Sequence, residues 1–255
     1  MQRRCDSLKR IDRDMLKYIA VIPMATGHFT GEVWAGKTNP DDSLLLFLMT
    51  QAALIAPPIF FFFIAEGFRY TRSPKKYAIR LLIFAAITQV PFCLSANGTL
   101  LTGEFFFCLN VFFTLFLGVI SLMICSSSLK LPVKILLVLA ADAVTMVFSI
   151  QWMIFGIPMI LAFYYFRERP AVRLICFSVC ALLELYVSFM SFETVLRLQY
   201  FAADLFFLLL GYAAVTVFYN GRRGKYLKFS KWFFYLFYPA HLIVIYIAEL
   251  CMGVY

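Results

Sequence analysis

Nine predominantly apolar runs, each near the length of a bilayer crossing, follow one another at roughly 16–34, 44–65, 77–95, 105–125, 131–149, 151–166, 172–192, 199–219 and 229–250. About 20 apolar residues in helical form cross a hydrocarbon layer of roughly 30 Å. A helix satisfies its own backbone N–H and C=O groups, as a lipid environment demands. The pattern predicts an all-α polytopic transmembrane bundle of about nine helices. No internal repeat, low-complexity stretch or extramembrane module interrupts it, so residues 1–255 read as a single transmembrane domain. The connecting loops are short, which places any chemistry inside the bundle or at its two faces. Pro57, Pro58, Pro91, Pro158 and Pro239 fall in or beside the runs, and each removes one backbone hydrogen bond that a neighbouring helix or cavity group must replace.

Composition sharpens this picture. With 63% hydrophobic and only 15% charged residues, the chain lies outside the range of soluble domains. Its charges are arranged by side. Placing the N-terminus inside gathers Arg3, Arg4, Lys9, Arg10 and Arg13, then Arg69, Arg72, Lys75, Lys76 and Arg80, on the cytoplasmic face. Lys130, Lys134, Arg167, Arg169, Arg173, Arg222, Arg223, Lys225, Lys228 and Lys231 follow there, and only Lys37 and Arg197 fall outside. This asymmetry predicts an inner N-terminus and an outer C-terminus. The net charge of +9 is then mostly topological, with a further pull on anionic lipid headgroups or an anionic cytosolic substrate. No soluble basic module points to nucleic acid. The first run is interrupted by Pro23 and His28 and lacks a cleavage site, so it reads as a retained helix rather than a signal peptide. Seven cysteines show no zinc-type spacing. Asn97-Gly98-Thr99 is a glycosylation sequon on an outer loop, of consequence only in a eukaryote.

Only two histidines occur, His28 and His241, each well inside an apolar run. An ionisable group in a span is costly, and usually faces a partner or a cavity. His28 stands eleven residues after Lys17, His241 ten after Lys231, Glu184 eleven after Arg173, and Asp142 eight after Lys134. At about 1.5 Å per residue all four lie on the order of 12–17 Å deep. They form either one buried polar site or four separate interhelical hydrogen bonds. An imidazole in apolar surroundings, oriented by a carboxylate, suits a general base acting on a hydroxyl or amine. No ligand spacing supports a metal, and none is expected. Glu66 differs from the basic residues around it: an acid at the inner boundary gains nothing from the topology rule and pairs with Arg69 or Arg80. Arg forks at that face, including Arg72, suit phosphate, although snorkelling alone explains most inner-face arginines. YNGRRGK at 219–225, with Asn220 and Arg222, is a second such segment.

LKYIAVIPM at 16–24 with His28, PPIFFFFIAEGFRYTR at 57–72, TQVPF at 88–92, LNVFFTLFLG at 109–118, WMIFGIPMILAFY at 152–164, YNGRRGK at 219–225 and FFYLFYPAHL at 233–242 together resemble the TraX family of integral-membrane acetyltransferases. Lys17 and His28 also reproduce the basic-x10-His spacing of the wider membrane acyltransferase class. The resemblance implies a multi-pass protein of the bacterial plasma membrane that loads acetyl-CoA from the cytosol. It implies His28 as catalytic base, with His241, Asp142 or Glu184 orienting or relaying. Lys17, Arg69, Arg72, Arg80 and Arg222 would meet the CoA phosphates, Glu66 would brace the arginines, and Asn110 and Asn220 complete the substrate-binding set. The acceptor would be a pilin-like N-terminus, an envelope glycan or another envelope component, reached from the membrane or the outer side. Where the family carries an acid directly before the histidine, this chain has Gly27. Either Asp142 or Glu184 substitutes from another helix or activity is reduced or lost, and Gly27→Asp is expected to preserve or raise activity if that carboxylate is what the site lacks. A transporter using the same histidines and acids is the alternative, without an inverted repeat to support it.

Overall fold

The computed structural model describes residues 10–34, 43–189, 197–225 and 227–253. Arg3, Arg4, Lys9, Cys5 and Lys37 lie outside the described residues. Among these residues the chain is all-helical: α1 (Arg13–His28) runs on as a π-helical turn, Phe29–Trp34. Next come α2 (Leu44–Gln51), a 3-10 segment (Ala52–Ile55), and α3 (Ala56–Tyr70) in one continuous rod. These are followed by α4 (Pro74–Asn97), α5 (Glu104–Phe107), α6 (Val111–Cys125), α7 (Leu131–Val147) and α8 (Met153–Tyr165). The last three are α9 (Pro170–Phe189), α10 (Arg197–Ala213) with a second π-helical turn (Ala214–Phe218), and α11 (Leu227–Met252).

The apolar runs and these helical stretches coincide. Among the described residues six stretches are long and apolar enough to cross a membrane: Leu44–Tyr70, Pro74–Asn97, Phe105–Cys125, Pro170–Ser188, Leu198–Phe218 and Trp232–Met252. Large apolar side chains on their outer faces stay exposed, among them Ile83 and Ile87 on α4 and Ile175 and Leu183 on α9. In water such faces would drive aggregation; against acyl chains they are ordinary. α8, at 13 residues, reaches only about 20 Å.

Local sequence sets the helix ends. Asp12 caps α1 by accepting from the Met15 amide at 2.9 Å, Ser73 and Pro74 open α4, and Gly98, at φ 68°, closes it. The fourth run is not one uninterrupted helix. It breaks between α5 and α6 because Gln89 Nε2 donates to the Phe105 and Cys108 carbonyls, at 3.1 and 2.8 Å, and Asn110 caps α6 through the Phe112 amide.

The helices gather into two compact units, one made of Met1–Phe60 and Leu185–Tyr255, the other of Phe61–Glu184. In the first, the 3-10 segment is held between two glycines. A Cβ on Gly27 of α1 would lie 2.6 Å from Ala53 Cβ and 2.8 Å from the Thr50 carbonyl oxygen, and one on Gly211 of α10 would lie 2.4 Å from the Ile55 carbonyl oxygen. Only glycine permits such backbone approach. In the second unit α6 packs on α8, with Gly118 against Ile160 and Gly156 against Thr114.

Candidate functional site

The site is built in the first unit on α1, its π-helical continuation and α11. The π turn after His28 places Glu32 under the imidazole, and His28 Nδ1 and Glu32 Oε1 stand 3.0 Å apart. A carboxylate accepts, so the neutral ring carries its hydrogen on Nδ1 and its lone pair on Nε2. Thr30, on the same turn, donates to the Thr26 carbonyl at 2.9 Å and meets the Thr50 hydroxyl at 2.8 Å. That pair fastens the turn to α2. π-helical turns recur at functional sites because the extra residue redirects side chains, and here the turn sets the dyad's geometry.

α11 supplies the opposite wall. The ring of His241 lies 5.6 Å from that of His28, centre to centre. His241 stacks on Phe237, at 5.3 Å and 12°, and meets the edge of Tyr238 at 5.1 Å. Its Nδ1 donates to the Phe237 carbonyl at 3.1 Å. The ring is 7% exposed, and Nε2, the acceptor nitrogen, has no hydrogen-bond partner. The charge of Glu32 acts on both Tyr238 and Glu249 of α11. Glu249 is 1% exposed, and Oε2 of both glutamates is buried without a hydrogen bond.

Two of the four midplane groups expected at one site therefore meet, His28 and His241. Asp142 and Glu184 belong to the other unit, where the charge of Asp142 acts on Cys180. The carboxylate at the His28 ring comes from Glu32, one turn along the same segment, and not from another helix. Glu32, Tyr238 and Glu249 escaped the sequence reading. Glu32 had a signal, the i,i+4 spacing to His28. Glu249 could have been noticed as an acid in an apolar run.

Gly27 requires a second correction. An aspartate there cannot stand in for the family's acid, because the glycine's open side is filled by α2 and the 3-10 segment. A carboxylate meets the His28 ring from four residues further along, that of Glu32.

Of the substrate-binding candidates, Lys17, Asn220 and Arg222 belong to the first unit. Lys17 Nζ sits 5.2 Å from the Phe234 ring centre, a cation–π contact. The segment entering α1 pairs in parallel with the one leaving α10, Ile11 opposite Tyr219, and Arg13 N donates to the Arg222 carbonyl at 3.0 Å. Asn220 Oδ1 accepts from the Arg222 amide at 2.8 Å, which shapes the turn. Gly224 lies against the Asp14 carboxylate, itself held by Arg13 at 3.0 Å. Lys17 and Arg222 thus share the end of this unit where α1 begins.

Glu66, Arg69, Arg72, Arg80 and Asn110 belong to the second unit. Arg69 and Arg72 are exposed, and Arg80 lies over the Tyr77 ring at 5.4 Å. The charge of Glu66 acts on Arg167, whose guanidinium is held above its ordinary pKa by a hydrogen bond to Tyr70, with Glu168 and Glu66 adding to it. Asn110 is fully buried. Its Nδ2 donates to the Ala85 carbonyl at 2.9 Å and to Gln89 Oε1 at 2.8 Å, and its Oδ1 accepts from Phe112 N at 3.0 Å. Both side-chain atoms are engaged by the protein itself. The six described cysteines are free thiols, and among the described residues no group of three or more His, Cys, Asp or Glu is placed to hold a metal.

No solved structure matches the chain. It is 32% identical over 193 residues to the probable fimbrial assembly protein FimC, serogroup H1, of Dichelobacter nodosus, an alignment covering 72% of this chain and 75% of that one. The family model described as TraX protein matches residues 12–249, a span holding both histidines, Glu32 and Glu249, and the chain belongs to the TraX family.

Proposed function

We propose that this protein is an acetyl-CoA-dependent acetyltransferase of the bacterial plasma membrane, with His28 as the general base. The observation that carries the reading is the His28–Glu32 pair at 3.0 Å. A carboxylate on Nδ1 fixes the tautomer, turns Nε2 toward a substrate proton and stabilises the imidazolium once it forms. Nε2 of His28 takes the proton as an amine or hydroxyl attacks the thioester carbonyl, and returns a proton to the departing thiolate. His241 borders the reacting atoms from α11. Direct transfer is favoured because, among the described residues, neither histidine hydrogen-bonds a cysteine or serine: the partners of their Nδ1 atoms are Glu32 and the Phe237 carbonyl.

Lys17 and Arg222 suit the donor's phosphates. They stand at the end of the unit where α1 begins, and the eleven residues from Lys17 to His28 span about 16 Å of helix, a distance that an extended pantetheine arm bridges. Arg69, Arg72 and Arg80 present further cations in the second unit, where the charge of Glu66 acts on Arg167. With the N-terminus inside, reporter fusions after residues 74, 100, 226 and 255 should read in, out, in, out. The acceptor is an envelope component such as a pilin-like N-terminus or a glycan.

The deciding experiment follows free thiol release from acetyl-CoA by the purified protein, with and without candidate acceptors. Acceptor-dependent release that disappears in His28→Gln supports the reading. Release equal in the variant ends it.

A further inference from the structure

The segment that follows α10 is fastened to the start of α1 more firmly than a link between two membrane helices requires. Ile11 N donates to the Phe218 carbonyl at 3.1 Å, Asn220 N to the Ile11 carbonyl at 3.0 Å and Arg13 N to the Arg222 carbonyl at 3.0 Å. Gly221, at φ 74°, turns the chain back. Gly224 is buried, and a Cβ on it would overlap the Asp14 carboxylate and stand 2.5 Å from the Asp14 Cβ. Asp14 is itself 5% exposed. Its Oδ1 holds Arg13 at 3.0 Å, and its Oδ2, set against Gly224, is buried without a hydrogen bond. A carboxylate oxygen left in that state costs free energy. Membrane topology does not call for that cost, because it asks only that basic residues lie on the inner side, which a slack loop satisfies. A fixed backbone matters when cations must meet a ligand in a set arrangement, since order present beforehand is not charged to binding. Arg222, Arg223 and Lys225 stand exposed around the buried Gly224.

We infer that Asp14 and Gly224 are positioning residues, a clasp that holds the 219–225 segment on α1 so that Arg222 and Arg223 meet the phosphates of a nucleotide. Guanidinium forks suit phosphate oxygens, and two of them on a fixed backbone suit a nucleoside with more than one phosphate. The inference rests on the acetyltransferase reading for the identity of that nucleotide, the adenosine 3′,5′-bisphosphate end of the donor, but not for its binding. Asp14 and Gly224 do not touch the ligand. The carboxylate fills the open side of the glycine, and Arg13, tied to that carboxylate, carries the backbone bond to Arg222. A side chain at position 224 would therefore push the segment off α1 and take the two arginines with it.

The full-length protein in phosphatidylcholine nanodiscs, titrated by calorimetry with adenosine 3′,5′-bisphosphate and with adenosine, tests this. The bisphosphate should bind more tightly than adenosine and slow amide hydrogen exchange across 218–224. Equal or absent binding of the two, or protection confined to other segments, overturns the inference whether or not any variant folds. Gly224→Ala should weaken bisphosphate binding about 10-fold, the worth of one charge-assisted hydrogen bond. Adding Asp14→Gly should restore it to within a few-fold, whereas adding Asp14→Ala should not, because that Cβ still stands 2.5 Å away. In acetyl-CoA turnover the loss should appear in KM and not in kcat, a split that a general loosening of the fold would not produce. An unchanged affinity in folded Gly224→Ala, or a loss that Asp14→Gly leaves unrepaired, overturns the inference. Phosphatidylglycerol nanodiscs separate the two sources of phosphate: affinity retained there supports the nucleotide, and affinity abolished there assigns the arginines to lipid headgroups and overturns the inference. Clasp-dependent binding without thiol release from acetyl-CoA would leave the clasp standing and remove the acetyltransferase reading. Thiol release that needs His28 but ignores Gly224→Ala would do the reverse.

Discussion

Two buried polar clusters, one in each unit, differ in residue type and in how far their hydrogen bonding is filled: amides in one, imidazoles and carboxylates in the other. Around Gln89 and Asn110 the amides are saturated: Gln89 Oε1 accepts from both nitrogens of Asn110, and Gln151 Oε1 accepts from the Val111 amide at 2.9 Å. Around His28 the acceptors of Glu32, His241 and Glu249 stay open. A closed network returns its bonding to the fold and fixes where α6 begins. An open one keeps bonding capacity for something that arrives. Burial of a polar residue therefore does not by itself mark a site; the unfilled remainder does.

The comparison breaks most visibly at His28. His28→Ala should lower acetyl transfer by about 10²–10⁴-fold, the usual worth of a general base, while thermal unfolding stays near wild type because a costly polar group leaves a helix face. A variant that unfolds while folded material still turns over would move His28 into the same class as Asn110. Gly27→Asp should be nearly as damaging for another reason. Its Cβ would be forced against the Thr50 carbonyl and Ala53, so both melting temperature and transfer should fall, and a stable, fully active variant would show that α1 can move off the 3-10 segment.

In the closed network, Asn110→Ala removes a helix cap and leaves the Ala85 carbonyl and Gln89 Oε1 short of a donor. A loss of about 2–4 kcal/mol is expected in denaturant titration, with donor affinity unchanged in the folded fraction. A selective loss of acetyl-CoA binding would restore Asn110 to the substrate-binding set. The smallest effect belongs to Arg69→Lys and Arg72→Lys, which keep the charge but lose the guanidinium fork. Acetyl-CoA affinity should weaken by a factor of a few. No change would leave these arginines as interface anchors.

The sequence displays the helices because lipid leaves a chain few alternatives: an apolar run of this length must satisfy its backbone locally, so runs and helices coincide. Interruptions were harder to see. The break before Asn110 depends on Gln89, 21 residues earlier, and nothing local in the apolar run betrays it. The candidate site was half legible. Rarity exposed the two histidines, and depth counting correctly grouped His28 with His241, since α1 and α11 pack against one another. The same counting also selects Asp142 and Glu184, which belong to the second unit. Glu32 is legible only through helical geometry, which brings residues four apart together, and not through adjacency to His28 in sequence, where Gly27 stands.

The first unit is discontinuous along the chain, with Phe61–Glu184 intervening, and this bears on biosynthesis. Between His28 and His241 lie 213 residue steps, which a ribosome covers in roughly 10–40 s at 5–20 residues per second. Through that interval the dyad on α1 has no opposing wall, and Ile11 waits for Tyr219 to pair with it. The His28–Glu32 pair and the wall that His241 supplies therefore come together only after α11 has been made.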